Sequence, residues 1–539
     1  MTTTVGEDLY VLPASYGQER LWLLEQISPE TALYNVPLAV RLRGRLDAPA
    51  LAEAVSGLVR RHEVLRTVLQ MRDGEVTQVV REALPFDLVA ESVDGSEEAV
   101  LARIGELAAL PFDLAEGPLL RGHLLAVAED EHVLVLVAHH TVTDGWSLGV
   151  MLAEIAALYA AVVGGSDAEL PEIPVQYADY ALWQREQVDG GSLSGQVDYW
   201  RERLRGAPRA LALPAGPRAA DAPPHASVTA PLRVPAMAVR HLRAIAPGGV
   251  TPTMVAMAAH TAVLARWSGQ DDVVVASPVA GRGEPELEGM VGFFVNTLPV
   301  RVDLSDDPSL TTLMERVRDS SFGAYDNADV PFEVLVGELR PERAAGRLPL
   351  AQTMLAVNNT PLPEDLSLPG LTGEPVRLAQ STAVFDVTVD LVEGGDALSG
   401  TVGLRADRFD QETADLLAES IGSVLRTWAA APDTPLSALP CPVAERDDPA
   451  AAPVHEAGPE ESDGEDTLPA TPTEHLLLEL WGEELGTPVT SVRDEFYALG
   501  GDSMRAVRIV MRARDKGVEL PVDMVLGEHT VRQLASATG

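Results

Sequence analysis

The stretch His132–Gly149, HVLVLVAHHTVTDGWSLG, decides how this chain is read. Val133 to Ala138 is an unbroken apolar run of strand length, rich in β-branched residues, as in a strand buried on both faces. Two adjacent histidines follow, in a chain of 539 residues with only 11 His. The chain then turns at Asp144-Gly145, and an apolar helix is expected from a cap at Ser147 to the glycine pair Gly164-Gly165. Side chains alternate along a strand, so His139 and His140 are expected on opposite faces, one in a core and the other in a cleft. Taken alone, the pair fits core packing at least as well as proton handling. The loop that follows tips the balance. Gly145 leaves room for a close approach by substrate, and Asp144, at a buried strand end, needs a cationic partner because an unpaired buried charge is costly.

Outward from this strand, Leu46–Leu65 has helical spacing and two strands follow it, RTVLQM and EVTQVV. A second long helix is expected over Thr251–Gly269, opening on Thr-Pro and closing on glycine, followed by the buried strand DDVVVASPVAGR. A strand–helix–strand arrangement thus occurs in each half. The expected fold is α+β, an α/β sandwich of two lobes with a cleft between them and a crossing near Val188–Trp200. The segment Cys441–Glu474 is rich in Pro, Ala, Gly and acids and lacks apolar periodicity, so it reads as a linker. The last ~70 residues read as an all-α bundle of four helices. The expected divisions are 8–180 and 181–438 for the lobes, 439–471 for the linker and 472–539 for the bundle.

The single cysteine, Cys441, excludes an internal disulfide and a cysteine-built metal site, so no metal is expected and a reducing cytoplasm is the expected compartment. A formal charge of −41 argues against nucleic acid as a partner. No apolar run is expected to reach the roughly 20 residues of a membrane span, so no membrane partner is expected either.

The residues His139-His140-Thr141-Val142-Thr143-Asp144-Gly145 match HHxxxDG, and the chain resembles the condensation domains of nonribosomal peptide synthetases. SYGQERLWLLEQ (Ser15–Gln26), RHEVLRT (Arg61–Thr67), YADYALWQ (Tyr177–Gln184), VGFFVNTLPVR (Val291–Arg301) and DVPFE (Asp329–Glu333) resemble further motifs of that family, in order. VFDVTVDL (Val384–Leu391) resembles the strand that bridges the halves, whereas RPERAAGRLPLAQTML departs from the family's form. The resemblance implies two chloramphenicol-acetyltransferase-like lobes with a tunnel between them. It makes His140 the catalytic position within a catalytic motif of His139, His140, Asp144 and Gly145, where His139 and Asp144 are mainly architectural, with Arg66, Asn296, Trp146 and Ser147 supporting. Asp144 is then expected to pair with Arg66, with Arg61 as the second choice. Asn296 is expected on the donor side, and Trp183 and Phe294 in ordinary packing.

DEFYALGGDSMRAV (Asp494–Val507) places Ser503 at the start of an amphipathic helix, where a serine could simply be an N-cap. The motif resembles the LGGDS of peptidyl carrier proteins, which implies 4′-phosphopantetheine on Ser503, its phosphodiester at a positive helix end. That resemblance implies three partners: a phosphopantetheinyl transferase, an upstream donor carrier protein, and a free-standing adenylating enzyme. The last is expected because no ATP-binding fingerprint stands between condensation segment and carrier, so either the carrier is loaded in trans or the chain is a fragment. The implied reaction is amide formation, with acyl transfer to a free amine or alcohol and non-catalytic recruitment as alternatives.

Overall fold

Glu131–His139 is a strand, and Val133 through Ala138 are each no more than 2% exposed. Burial on both faces follows from its place in a six-stranded sheet. It pairs antiparallel with Asn35–Gly44 on one side and Leu120–Ala128 on the other, and Leu88–Ser92 lies parallel beyond Leu120–Ala128. Helices Ala48–Arg61, Glu97–Ala108 and Gly145–Gly164 contribute to the same core. The computed structural model describes residues 8–538 except 28–30, 84, 209, 215–224, 340–347, 359–365, 377, 379–381, 395–396, 442–466, 497–498, 500–502, 521 and 526–528, and gives only the backbone at a few more, Ser503 among them. Most of the expected linker and the start of RPERAAGRLPLAQTML therefore lie outside the described residues.

Three expectations around the histidines are corrected. The strand stops at His139, and His140–Val142 is a turn of 3₁₀ helix, so the turn and not strand alternation parts the two rings. The helix begins at Gly145 with Asp144 as its N-cap, because the Asp144 carboxylate accepts from the Ser147 amide; Ser147 is inside the first turn. Gly145–Gly164 is also, at 20 residues and mean hydropathy 1.8, long and apolar enough to cross a membrane by length and composition, contrary to the expectation that no run reaches that length. Glu154 is its one charged residue. In the fold it packs against Ala48–Arg61 and carries the histidine loop at its head.

The second lobe is built on another six-stranded sheet, in the order Asn296–Asp303, Asp272–Val279, Thr353–Asn358, Val387–Gly394, Ala397–Arg405, Ser227–Val234. Helix Pro252–Ser268 runs through its core, capped by Thr251 and ended by Gly269 in the left-handed region, as its sequence predicts. Helices Tyr177–Asp189 and Ser194–Arg203 carry the chain from one lobe to the other.

The bridging segment differs from the expected one. Val387–Gly394 stays inside the second sheet, between Thr353–Asn358 and Ala397–Arg405. Leu366–Leu368 and Leu371–Pro375 cross instead, and Leu371–Pro375 pairs antiparallel with Asn35–Gly44 of the first sheet. LSLPGLTGEP carries little strand signal, because two short strands joined by Pro-Gly have too few residues for a period-2 pattern.

The C-terminal unit has the four expected helices, Pro472–Leu485, Ser503–Asp515, Val522–Val525 and Val531–Ala537. Leu477, Trp481, Phe496, Ile509, Val510 and Leu534 form its core. Val507, on the same helix as Ile509, is 1% exposed but belongs to the first lobe's core cluster.

Candidate active site

His140 is partly buried, and its Nδ1 lies 2.7 Å from the Thr143 carbonyl oxygen. A carbonyl can only accept, so Nδ1 carries the proton and the Nε2 lone pair is left for a substrate. Burial pushes the His140 pKa below the ordinary imidazole value, against the opposing pull of the Thr143 carbonyl and Asp144. The ring is therefore a neutral acceptor near pH 7. Phe293 lies against it, ring centroids 4.7 Å apart.

His139 points into the core at 2% exposure. Its Nδ1 accepts from the Thr141 amide at 3.3 Å and faces the Thr141 hydroxyl at 2.9 Å. Tyr34 and Phe112 pack edge-on around the ring. Burial pushes its pKa down to about 3. Its position is that of a loop-shaping residue.

Asp144 is fully buried, and its cation is Arg282, not Arg66 or Arg61. Arg282 Nη2 stands 3.1 Å from Asp144 Oδ1, with side-chain exposures of 2% and 0%. Arg66 bonds Glu63 and the Arg81 carbonyl instead, and Arg61 pairs with Glu154. The missed signal is an arginine directly after the buried strand Asp272–Val279, in VAGR; a partner 138 residues away has no local signature. Asp144 also accepts from the Ser147 amide at 2.8 Å and the Phe294 amide at 3.0 Å. Arg282 donates to the Leu287 and Met290 carbonyls and lies over the Phe294 ring at 4.1 Å.

The same loop engages the supporting residues. The Ser147 hydroxyl lies 2.7 Å from Asp144 Oδ1 and 2.9 Å from the Gly292 carbonyl, and accepts from the Gly292 amide at 3.0 Å. Trp146 Nε1 donates to the Glu288 carbonyl at 2.9 Å. Tyr177 donates to the Phe293 carbonyl at 2.8 Å. Glycine is required twice here. At Gly281, with φ +65°, a Cβ would fall 2.0 Å from the Phe294 carbonyl oxygen, and at Gly292 a Cβ would strike the Tyr177 ring at 2.2 Å. At Gly145 an added Cβ would meet nothing within 4 Å, so open space adjoins the turn.

Asn296 is spent on backbone. It donates to the Ala328 and Val330 carbonyls at 2.8 Å and accepts from the Phe332 amide at 3.0 Å. It shapes the loop before helix Phe332–Leu339. Phe294 is packed against Tyr177 and Tyr180, whereas Trp183 is 45% exposed. No cluster of three or more His, Cys, Asp or Glu suited to a metal is found among the described residues. Two surface hollows, one of about 320 Å³ beside Leu232 and Arg426 and one of about 430 Å³ beside Gly482 and Pro488, lie away from the histidines.

Ser503 is the first residue of the 13-residue helix Ser503–Asp515, with its side chain outside the described residues. That backbone position suits a phosphodiester, which the free amides of a helix start and the axial dipole favour. The carrier rests on the first lobe. Arg508 donates to the Gly74 carbonyl at 3.1 Å, and Val507 and Met511 pack with that lobe's core.

Residues 9–447 match the family model described as condensation domain, and residues 475–538 match that described as phosphopantetheine attachment site. A linear gramicidin synthase of Brevibacillus parabrevis is 34% identical over 550 residues, covering 98% of this chain and 11% of that protein. The X-domain from teicoplanin biosynthesis is 29% identical with a TM-score of 0.72, covering 81% of this chain and 98% of that one. The SgcC5 protein of Streptomyces globisporus is 29% identical with a TM-score of 0.67, covering 78% of this chain and all of that one. This chain thus spans a small part of the gramicidin synthase and is matched along most of its length by either solved structure. With a histidine turn tied to a loop of the second sheet and a carrier helix resting on the first lobe, this chain belongs to the condensation-domain family, the amide-bond-forming acyltransferases of nonribosomal peptide synthetases, joined to a carrier domain for covalent 4′-phosphopantetheine.

Proposed function

We propose that this chain joins a carrier-bound acyl or peptidyl thioester to an aminoacyl group tethered through 4′-phosphopantetheine to its own Ser503. In this reading an upstream carrier presents the donor, a phosphopantetheinyl transferase installs the arm, and a free-standing adenylating enzyme loads it in trans. The observation that carries the reading is the seating of the carrier. Helix Tyr16–Ile27 touches helix Ser503–Asp515, and from the same helix Gln18 donates to the Thr141 carbonyl at 3.1 Å inside the histidine turn. One wall thus serves both the carrier and the catalytic loop. Loading in trans is supported by the short interval between the two family matches, residues 448–474.

The arm's thiol supplies an activated thioester. An α-amino group of pKa about 7.7–8.0 is already about a tenth unprotonated near pH 7. Proton acceptance by His140 then contributes about 10²-fold, and orientation of the two chains contributes more. His140 Nε2 accepts a hydrogen bond from the attacking amine and orients it. Asp144, Arg282 and Ser147 act by holding the turn.

A second reading, transfer to a soluble alcohol or amine, is favoured by the likeness to SgcC5, whose structure holds a naphthyl ethanediol. Recruitment of another enzyme is favoured by the X-domain, which has been solved in complex with OxyB. One experiment separates the three. The chain, given its arm by a transferase and loaded with an aminoacyl group, is mixed with a donor-loaded carrier, and Ser503 is read by mass. The proposal expects the donor mass to appear on Ser503 and to vanish in Ser503→Ala. Product released on a soluble acceptor, or no product from a folded loaded protein, refutes it.

A further inference from the structure

We propose that His62 is a positioning residue that latches the 290–294 loop of the second lobe to the first and, through Phe293, keeps His140 in register with its substrate. His62 follows helix Ala48–Arg61 directly and is 1% exposed. Its Nδ1 accepts from the Val291 amide, 229 residues further along, at 3.4 Å. An N–H donor on that side requires the lone pair on Nδ1, so the ring proton sits on Nε2, which faces Glu154 Oε2 at 2.9 Å.

Glu154 belongs to the helix that Asp144 caps, and Arg61 Nε holds its other oxygen at 3.0 Å. Burial would raise the Glu154 pKa, yet His62 and Arg61 together hold it below the usual carboxylate value. A buried charged carboxylate is thereby fixed from both sides. Arg61, Glu154, His62 and the Val291 backbone form one line of contacts that begins on two helices of the first lobe and ends on the loop between strands Asp272–Val279 and Asn296–Asp303, which packs into that lobe's core. The line shares no residue with the Asp144–Arg282 pair. Gly292, next in the chain, is held on Ser147, and Phe293 lies against the His140 ring. His62 touches no reacting atom. It uses one nitrogen on a helix of the first lobe and the other on a loop that leaves the second sheet and packs into that lobe's core, which a space-filling side chain would not need.

This inference rests on the reading of His140 as catalytic, and its test keeps the two apart. Asn places its amide near the position of Nδ1, and Gln places its amide near that of Nε2. His62→Asn therefore keeps an acceptor for Val291 and drops the Glu154 contact, and His62→Gln does the reverse. Both variants of the full chain, carrying the phosphopantetheine arm, are assayed for kcat and KM with a donor-loaded carrier, and hydrogen exchange is followed in the 290–294 segment. His62→Gln is expected to lower kcat about tenfold at unchanged KM and to speed that exchange, while His62→Asn stays within about twofold of the native chain in both. Equal loss of kcat in the two variants, or native exchange in His62→Gln, overturns the latch. If His62→Gln does not fold, His62→Asn decides: retained kcat supports the latch and lost kcat overturns it. His140→Ala in the same assay reports on the catalytic reading, whereas the exchange rates judge the latch regardless of that result.

Discussion

Replacing Arg282 by methionine removes a cation from beside a carboxylate with no solvent exposure. Taking one partner from a buried pair costs about 3–5 kcal/mol, because the remaining charge is left without compensation. Here Asp144 keeps the Ser147 and Phe294 amides, which places the charge term near the lower figure. The Leu287 and Met290 carbonyls lose their donor as well, at about 1 kcal/mol each if water does not replace it. Arg282→Met should therefore destabilise the condensation segment by about 5 kcal/mol. Asp144→Asn should cost about 3 kcal/mol, since it strands the guanidinium instead. The double variant buries no charge, so its cost should fall well short of the sum, with a coupling of about 2 kcal/mol. Urea titration of the full chain, followed by the fluorescence of the buried tryptophans, measures all three. Arg66→Met, which touches Glu63 and the Arg81 carbonyl, serves as the control and should cost about 1 kcal/mol. Additivity of the two single changes within about 0.5 kcal/mol would refute the assignment of Arg282 as the Asp144 counter-ion.

Three further outcomes follow from other contacts. His140→Ala should lower kcat about a hundredfold while the chain stays folded, and an unchanged rate of amide formation removes any catalytic part for the ring. His260 is fully buried against the Thr353 hydroxyl, and burial pushes its pKa down to about 3. Because the folded value lies below the ordinary 6.5, its contribution to stability is complete above that pH and is lost as pH falls towards about 3. The stability deficit of His260→Gln relative to the native chain should thus shrink by about 2 kcal/mol between pH 7 and pH 5, and a constant deficit contradicts the buried neutral imidazole. Val507→Glu should leave the carrier's own helices intact by circular dichroism yet reduce the rate with the tethered acceptor about tenfold, and spare the rate with a soluble aminoacyl thioester; equal loss with both acceptors would mean that the seat of the carrier is not used.

Elements with punctuation at both ends were legible in the sequence. Pro252–Ser268 announced itself through Thr251-Pro252 and Gly269, and the carrier helices through capping residues and apolar spacing. The turn at Thr141–Asp144 was legible as a turn but not in its geometry, which depends on a hydrogen bond from the Thr141 amide to His139. Long-range pairings left no trace. Arg66 and Arg61 were the nearest arginines by motif, yet each is taken by another acid, and Asp144 is met by a residue from the loop after strand Asp272–Val279. Asn296 sits in a motif that suggested substrate contact, and only the backbone carbonyls around it reveal its use. Val507 has the spacing of a core residue, and periodicity cannot tell which core it enters.

The strand pair Leu366–Pro375 has a consequence for dissection of the molecule. Asn35–Gly44 is an interior strand only because Leu371–Pro375 arrives from the far half of the sequence to pair with it. A fragment cut between the lobes would present that strand as a raw edge, open to pairing with its own copies. Exchange of parts between such enzymes should therefore move both halves together, with the cut placed beyond the histidine lobe's borrowed strands and not at its apparent midpoint.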